Sequence, residues 1–267
     1  MSRVIDRFAI RHRASPLSWL RTMALRAGNG LTSPLIAAER YPVRFGFVVG
    51  CGHSGTTLLV SRIANHPEVE AIGRESFAFD PQHGLYASRQ ILREWSERAQ
   101  SRGRSLVVEK TPKHVHCIER IRRLLPEAPI VAIVRDPLDT VASLTRRFGE
   151  FRLCLERWLI DNRELLRWRS TDGIYCLRYE DLVDDPEARL QGVCDHLGLS
   201  WSPLLLGQGE PAFGRGSANA FVNKRRDQVA GRISRQERHV ADALSAGQCE
   251  LVRRETAQLA AAFGYGA

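Results

Sequence analysis

From residue 44 onward, short continuous apolar runs alternate with segments in which apolar residues recur at helical spacing. The runs are rich in Val, Ile and Leu and read as buried strands. They cover Phe45–Val49, Val69–Ile72, Leu106–Val108, Ile130–Val134 and Ile174–Leu177. The helical segments cover Thr56–Asn65, Ile118–Leu125, Asp136–Phe148, Phe151–Arg169, Pro186–Leu197 and about Arg235–Phe263. This alternation predicts a three-layer α/β fold with a central, mostly parallel sheet flanked by helices.

The N-terminal segment differs from the rest of the chain in charge and pattern. The 267 residues carry a net charge of +9, and residues 1–44 alone hold eight Arg against two acidic residues, a net of +6. We therefore expect a basic N-terminal arm over residues 1–43 and a single α/β domain over residues 44–267. Three roles for the arm stay open: packing on the domain, peripheral contact with an anionic membrane surface, or targeting.

Composition excludes several classes of protein. Hydrophobic residues make up 43% and charged residues 26%, which excludes collagen-like, low-complexity and fully disordered chains. No uncharged apolar run approaches the ~20 residues that span a bilayer. Outside the arm the net charge is too small to indicate a nucleic-acid binder. The six cysteines show neither CxxC nor metal-ligand spacing, so we expect buried thiols, a cytoplasmic location and no metal site.

A glycine-rich segment follows the first strand and opens the first helix. It reads Gly50-Cys51-Gly52-His53-Ser54-Gly55-Thr56-Thr57. Glycines allow a tight turn in which backbone N–H groups and the helix N-terminus bind phosphate, which makes the expected fold one of P-loop type. Thr56 stands where the lysine of an ATP-binding loop would be, so the terminal phosphates of ATP lack their usual partner.

This loop resembles that of the sulfotransferases that use 3′-phosphoadenosine 5′-phosphosulfate (PAPS), which reads [KR]-S-G-T-T. The resemblance implies that PAPS is the co-substrate and adenosine 3′,5′-bisphosphate (PAP) the product. It also implies a binding site for the 5′-phosphosulfate in the loop. Its residues would be Gly52, His53, Ser54, Gly55, Thr56 and Thr57. His53 replaces the family's Arg or Lys, and we expect it to donate to the 5′-phosphate or to the bridging oxygen during transfer.

Two later segments extend the resemblance. Arg135 at a strand end and Ser143 in the next helix match the family's element for the 3′-phosphate, and a guanidinium suits phosphate because of its planar fork. Tyr179, after the last predicted strand, matches a tyrosine that commonly touches the adenine. The alternatives are that Arg135 only pairs with a neighbouring acid and that Tyr179 is a core residue.

Sulfuryl transfer needs a base for the acceptor proton and donors for the charge that develops on the sulfuryl oxygens. By resemblance to tyrosylprotein and bacterial sulfotransferases, Glu75 is our first choice for the base and Lys110 for the sulfuryl donor, with His114 as a second candidate base. Ordinary ion pairs with Arg74 and Glu109 are the alternatives for Glu75 and Lys110. A basic stretch over residues 223–232 either closes over the 3′-phosphate or is a solvated charge run.

The sequence thus predicts a metal-independent, PAPS-dependent sulfotransferase that acts on a hydroxyl or amine. We expect a small-molecule or carbohydrate acceptor, and aromatics and arginines within residues 77–104 to line its pocket. The aromatics are Phe77, Phe79, Tyr86 and Trp95, and the arginines are Arg89, Arg93 and Arg98. Two alternatives stay open: a P-loop kinase or NTPase, and a non-catalytic nucleotide-binding protein.

Overall fold

A computed structural model describes residues 38–207, residue 233 and residues 240–266. Within this part of the chain, five strands form one sheet in the order β2-β3-β1-β4-β5. The strands are β1 Arg44–Gly50, β2 Val69–Ala71, β3 Leu106–Lys110, β4 Ile130–Val134 and β5 Ile174–Arg178. Every pairing is parallel, so the predicted α/β class and parallel sheet are confirmed.

Helices connect the strands and cover both faces of the sheet. They are α1 Thr56–Ile63, α2 Leu85–Ser101, α3 Ile118–Leu124, α4 Pro137–Phe148, α5 Phe151–Trp168, α6 Tyr179–Asp184, α7 Pro186–Leu197 and α8 Ala246–Ala262. Short 3₁₀ turns lie at Pro112–Cys117, Pro203–Leu205 and Val240–Asp242.

Local sequence sets where two of these helices begin. The Asp136 side chain accepts a hydrogen bond from the Asp139 N–H, and Pro137 occupies the first turn of α4. Asp185 and Pro186 repeat this arrangement at the start of α7. A carboxylate at the N-cap satisfies a backbone donor that the helix leaves unpaired, and proline is pre-set for the first turn. As a result α4 begins directly after the end of β4.

Two apolar clusters lie on opposite faces of the sheet. One joins Phe45, Phe47 and Val49 of β1 to side chains from α2, α3, α4, α5 and α8. The other joins Val48 to α1, α6 and α7. Alternate residues of a strand point to opposite faces, so β1 is buried on both sides. This arrangement gives the three layers that the sequence predicts.

Three predictions need revision. Residues 85–101 form the long helix α2, which the sequence analysis did not predict. Two aromatics assigned to an acceptor pocket, Phe79 and Trp95, are buried in the core instead, with 0% and 4% exposed surface. The last helix begins at Ala246, not near residue 235, because Ser245 and Gln248 form a capping box there.

Residues 1–37 of the predicted N-terminal arm and the basic stretch 223–232 lie outside the described residues. The last residues of the arm, which the structure describes, contact the domain. Tyr41 packs edge-on against Phe45, Val43 is buried, and Glu39 pairs with Arg93 of α2 at 2.9 Å. The boundary between arm and domain at residue 44 stays a prediction.

Candidate functional site

The predicted site residues converge at the carboxyl edge of the sheet. All five strands are parallel, so their carboxyl ends meet along one edge. The glycine-rich loop follows β1, Lys110 ends β3, Arg135 follows β4 and Tyr179 follows β5. Strand β1 lies between β3 and β4, and the chain reverses its direction of strand addition there, which is the position where open α/β sheets bind ligands.

Backbone geometry explains the glycines of the loop. Gly50 has φ 144° and Gly55 has φ 96°, values that L side chains rarely adopt. A Cβ atom at Gly50 would lie 2.3 Å from the Ile133 carbonyl oxygen, and one at Gly55 would lie 2.4 Å from Cδ2 of Tyr179. His53 also lies in the left-handed region, with φ 71°. The loop is therefore pressed onto β4 and Tyr179 and leads directly into α1.

Several donors around this loop are buried without a hydrogen-bond partner among the residues that the structure describes. They are Ser54 Oγ, Thr57 Oγ1, Thr140 Oγ1 and Arg135 Nε. Buried polar groups are normally paired, and an unpaired one carries a desolvation cost of ~1–3 kcal/mol. The loop and the start of α4 thus contain the set of unsatisfied hydroxyl and guanidinium donors that a bound phosphate group would satisfy.

One hydrogen bond joins the two predicted phosphate elements. His53 Nδ1 lies 2.8 Å from Ser143 Oγ. Nearby, the guanidinium of Arg135 lies over the ring of Tyr179, 4.4 Å from its centroid, and its Nη2 donates to Asp139 at 2.9 Å. Tyr179 is therefore held between Gly55 and Arg135. The predicted residues of the 5′ and 3′ elements form one contiguous cluster.

The predicted base and the predicted sulfuryl donor contact each other. Lys110 Nζ donates to Glu75 Oε1 at 2.8 Å. The lysine side chain has no exposed surface, whereas 31% of the Glu75 side chain is exposed. A buried ammonium needs a charged partner, and Glu75 provides it from the segment after β2. The carboxylate lies at the surface with the ammonium beneath it.

His114 belongs to a buried network in which both of its ring nitrogens form hydrogen bonds. Nδ1 donates to Glu109 Oε2 at 3.0 Å, and Nε2 accepts from the Phe79 N–H at 3.3 Å. Burial acts to raise the pKa of Glu109, but His114 together with the hydroxyls of Thr111 and Ser76 lowers it below its usual value. These contacts fix the segment around Ser76, next to Glu75.

Sequence reasoning missed a second buried polar cluster below the loop. Arg157 and Asp161 form an ion pair one turn apart on α5, and His116 Nε2 donates to Asp161 Oδ1 at 2.7 Å. Burial acts to raise the pKa of Asp161, but Arg157 and His116 lower it to about 2. Burial and Asp161 raise the pKa of the Cys51 thiol. The i,i+4 spacing of Arg157 and Asp161 was a visible signal, but their neighbours come from distant parts of the sequence.

Two further features concern metals and membranes. Among the residues that the structure describes, no group of three or more His, Cys, Asp and Glu side chains could hold a metal ion. None of the helices in this described part of the chain is long and apolar enough to cross a membrane.

Comparison with known proteins finds similarity to sulfotransferases. A family model described as "Sulfotransferase family" matches residues 80–203. Protein-tyrosine sulfotransferase A of Caenorhabditis elegans is 24% identical over 253 residues, covering 80% of this chain and 62% of the relative.

Two solved structures share the fold. The sulfotransferase domain of the Synechococcus PCC 7002 olefin synthase superposes with a TM-score of 0.55 at 20% identity, covering 82% of this chain and 96% of that domain. Mouse sulfotransferase SULT7A1 complexed with PAP has a TM-score of 0.56 at 13% identity, covering 91% and 94%.

The extent of these matches differs between sequence and structure. This chain spans 62% and 64% of the length of the two protein-tyrosine sulfotransferases that it matches, whereas it covers almost all of the structural neighbours. The family model matches residues 80–203, which include the Arg135–Ser143 element but not the glycine-rich loop. The loop is therefore a sign of similarity to sulfotransferases that does not depend on the family model. The family model, the relatives and the solved structures are all sulfotransferases, which confirms the resemblance read from these two elements.

Proposed function

We propose that this protein transfers a sulfuryl group from PAPS to a hydroxyl or amine of an acceptor and releases PAP. The observation that carries the proposal is the contact of His53 with Ser143 at 2.8 Å. It brings a loop suited to a 5′-phosphosulfate beside an Arg/Ser element suited to a 3′-phosphate. PAPS carries both groups on one ribose, so a single nucleotide can reach both elements. The complex of mouse SULT7A1 with PAP supports the same choice of ligand.

The residues present fit this nucleotide. The unsatisfied hydroxyls of Ser54 and Thr57 and the backbone from Gly52 to Thr56 hold the 5′ end at the start of α1. Arg135 and Ser143 hold the 3′-phosphate, since a guanidinium and a hydroxyl both donate to phosphate oxygens. Tyr179 supports Arg135 through their stacking contact, and its contact with adenine stays a prediction.

The reaction we propose is an in-line displacement. As the acceptor oxygen or nitrogen forms a bond to sulfur, the bond between sulfur and the bridging phosphate oxygen breaks. Glu75 takes the acceptor proton, because its carboxylate is partly exposed and held in place by Lys110. Lys110 donates to the sulfuryl oxygens, and His53 donates to the phosphosulfate as charge moves onto the leaving PAP.

The geometry favours Glu75 over His114 as the base. A general base must reach the acceptor proton within hydrogen-bond distance or through one water molecule. Both nitrogens of His114 are already engaged, by Glu109 and by the Phe79 backbone, and its side chain is only 1% exposed. His114 therefore supports the segment that carries Glu75.

The acceptor is a small molecule or a carbohydrate with a hydroxyl or amine. Glu75 lies between β2 and α2, so residues from this connection and α2 line the approach. Of the aromatics expected there, Tyr86 remains exposed at 58%, with Arg89 over its ring. Arg93 and Arg98 pair with Glu39 and Glu70 and so contribute less charge to an acceptor than the sequence suggests.

Calorimetric titration with PAP, and separately with ATP and Mg²⁺, tests the proposal. We expect micromolar binding of PAP that Arg135→Ala removes, and no comparable binding of ATP. ATP binding without a response to PAP would favour a kinase or NTPase and refute the proposal. PAP binding without transfer from radiolabelled PAPS across a broad acceptor panel would favour the non-catalytic alternative. Arg152→Gln, an exposed arginine on α5, is the control variant.

A further inference from the structure

The glycine-rich loop has little permanent positive charge of its own. Between Gly50 and Thr57, His53 is the only side chain that can become a cation. Histidine changes its charge near physiological pH, whereas a phosphosulfate group is negative throughout that range. A loop of this composition therefore needs a permanent charge from another part of the chain if it is to bind the 5′ end at all pH values near neutrality.

Arg157 lies where such a charge would be needed. Its side chain is 9% exposed, and its Nη2 lies 3.4 Å from the point that a Cβ atom would occupy at Gly52. The Gly52 backbone thus lies directly against the guanidinium, and a larger residue would contact it. The charge of Arg157 is also felt by Cys51 in the loop and by Glu75, the proposed base. Arg157 therefore lies against Gly52 and within electrostatic range of Glu75.

The guanidinium is held from the side opposite the loop. Arg157 Nε donates to Asp161 on the next turn of α5, and His116 donates to the other oxygen of that carboxylate at 2.7 Å. With Nε fixed by Asp161, Nη2 faces Gly52. Lys113 brings a further charge within electrostatic range of Arg157 and Asp161. The neutral Cys51 thiol, whose pKa is raised by burial and by Asp161, forms a hydrogen bond with Asp161.

Stability alone does not explain this arrangement. Burying an ion pair costs desolvation free energy that its attraction often fails to recover, and apolar replacements are frequently as stable. An ion pair at this position can orient a positive charge toward a phosphate-binding loop, which apolar side chains could not do.

We propose that Arg157 is a positioning residue for the 5′ end of the nucleotide, which supplies permanent positive charge beneath Gly52 and is oriented by Asp161 and His116. The inference rests on the proposed function, because it requires a 5′-phosphate or phosphosulfate in the loop. Arg157 acts through the loop backbone and through its field, and it adds to the charge of His53.

The test compares two nucleotides that differ only at the 5′ end: PAP and adenosine 3′-monophosphate. Arg157→Gln alone would leave Asp161 as an unpaired buried charge, so the main variant is Arg157→Gln combined with Asp161→Asn, which keeps the site neutral. Arg157→Lys tests whether a cation rescues the effect, and Arg152→Gln on the exposed face of α5 is the control. Circular dichroism and the melting temperature report on folding, and calorimetry reports on affinity.

We expect the double variant to bind PAP about tenfold more weakly, the loss of one charge-assisted interaction. Binding of adenosine 3′-monophosphate should change less than twofold, and Arg157→Lys should recover part of the loss. An equal loss for both nucleotides, or no loss for either, would overturn the inference. If the folded wild-type protein does not bind PAP, the proposed function fails, and this inference fails with it. If the wild type binds PAP but the double variant loses affinity equally for both nucleotides, or for neither, only this inference is wrong.

Discussion

The imidazole Nδ1 of His53 lies 2.8 Å from the hydroxyl oxygen of Ser143. His53 follows β1, and Ser143 lies in α4 after β4, so the bond joins two segments separated by 90 positions in the sequence. It connects the predicted 5′ element to the predicted 3′ element without any ligand. We therefore expect binding at one element to affect the geometry of the other.

The first prediction concerns this coupling. His53→Ala and Ser143→Ala each remove one partner, and each should weaken PAP binding several-fold. Because the residues are in contact, we expect the double variant to differ from the sum of the single effects by about 0.5–3 kcal/mol. Calorimetric titrations of the four proteins measure the coupling. Additive effects would show that the two elements bind independently. Ser101→Ala, an exposed serine at the end of α2, is the control.

The second prediction tests the base. Glu75→Gln keeps the size of the side chain and can still accept a hydrogen bond from Lys110, but it cannot take the acceptor proton. We expect PAP affinity to stay within threefold of the wild type and kcat to fall by about 10²–10⁴-fold. The rate of sulfuryl transfer from radiolabelled PAPS to an acceptor found by screening provides the measurement. Glu97→Gln in α2 is the matched control, and near wild-type turnover in Glu75→Gln would remove Glu75 from this role.

The third prediction separates binding from transfer at Lys110. Lys110→Met fills most of the same buried volume without the ammonium. If Lys110 donates to the sulfuryl oxygens, the fall in kcat should exceed the loss of PAP affinity, because PAP lacks the sulfuryl group. Single-turnover rates and PAP titrations on one preparation supply both quantities. A larger loss in PAP binding than in kcat would make Lys110 a nucleotide-binding residue instead.

The fourth prediction uses two glycines that both have positive φ but lie in different surroundings. Gly55 and Gly103 both have positive φ, 96° and 66°. A Cβ at Gly55 would lie 2.4 Å from the Tyr179 ring, whereas one at Gly103 would meet nothing within 4 Å. Gly103→Ala should cost only the left-handed strain, about 1 kcal/mol. Gly55→Ala should cost more in urea unfolding and should also reduce PAP binding. Equal costs with intact PAP binding would contradict the packing of the loop on Tyr179.

The fifth prediction concerns acid stability. The pKa of Asp161 is lowered from its ordinary value of 3.8 to about 2. Between these values the unfolded chain binds more protons than the native protein, so the free energy of unfolding falls as pH falls from about 4 to 2. Above about pH 4, Asp161 contributes about 2 kcal/mol to the free energy of unfolding. Urea midpoints over this range should fall less steeply for Asp161→Asn than for the wild type, and identical slopes would be the contrary result.

The parts of the fold that were predictable are those with strong local signals. Strand Ile130–Val134 and helix Pro186–Leu197 have the predicted bounds, because one is apolar throughout and the other starts at a proline and ends before a glycine. Helix α2 was missed although Leu85, Leu92 and Trp95 are buried on one side of it. Its aromatics and arginines were interpreted as pocket residues. The start of α8 was missed because the Ser245–Gln248 capping box was not considered.

The candidate site was predictable to the extent that its residues lie in recognisable segments. The loop, Arg135 and Ser143 are recognisable because each matches a short segment of the sulfotransferase pattern at a strand end or in a helix. Their roles stay predictions. The pairing of Glu75 with Lys110 and the position of Arg157 beneath Gly52 could not. These contacts join segments far apart in the chain, and only the strand order and the helix packing bring them together.

The central position of β1 has a further consequence. On the proposed assignments, the nucleotide occupies the loop and the side formed by β4 and β5, while Glu75 and Lys110 come from the side formed by β2 and β3. On these assignments, the residues that bind the nucleotide and the residues that act on the acceptor lie on opposite sides of β1. On these assignments, a chimera that exchanges residues 72–101 with the corresponding residues of a known sulfotransferase should take on the new acceptor preference while retaining its affinity for PAP.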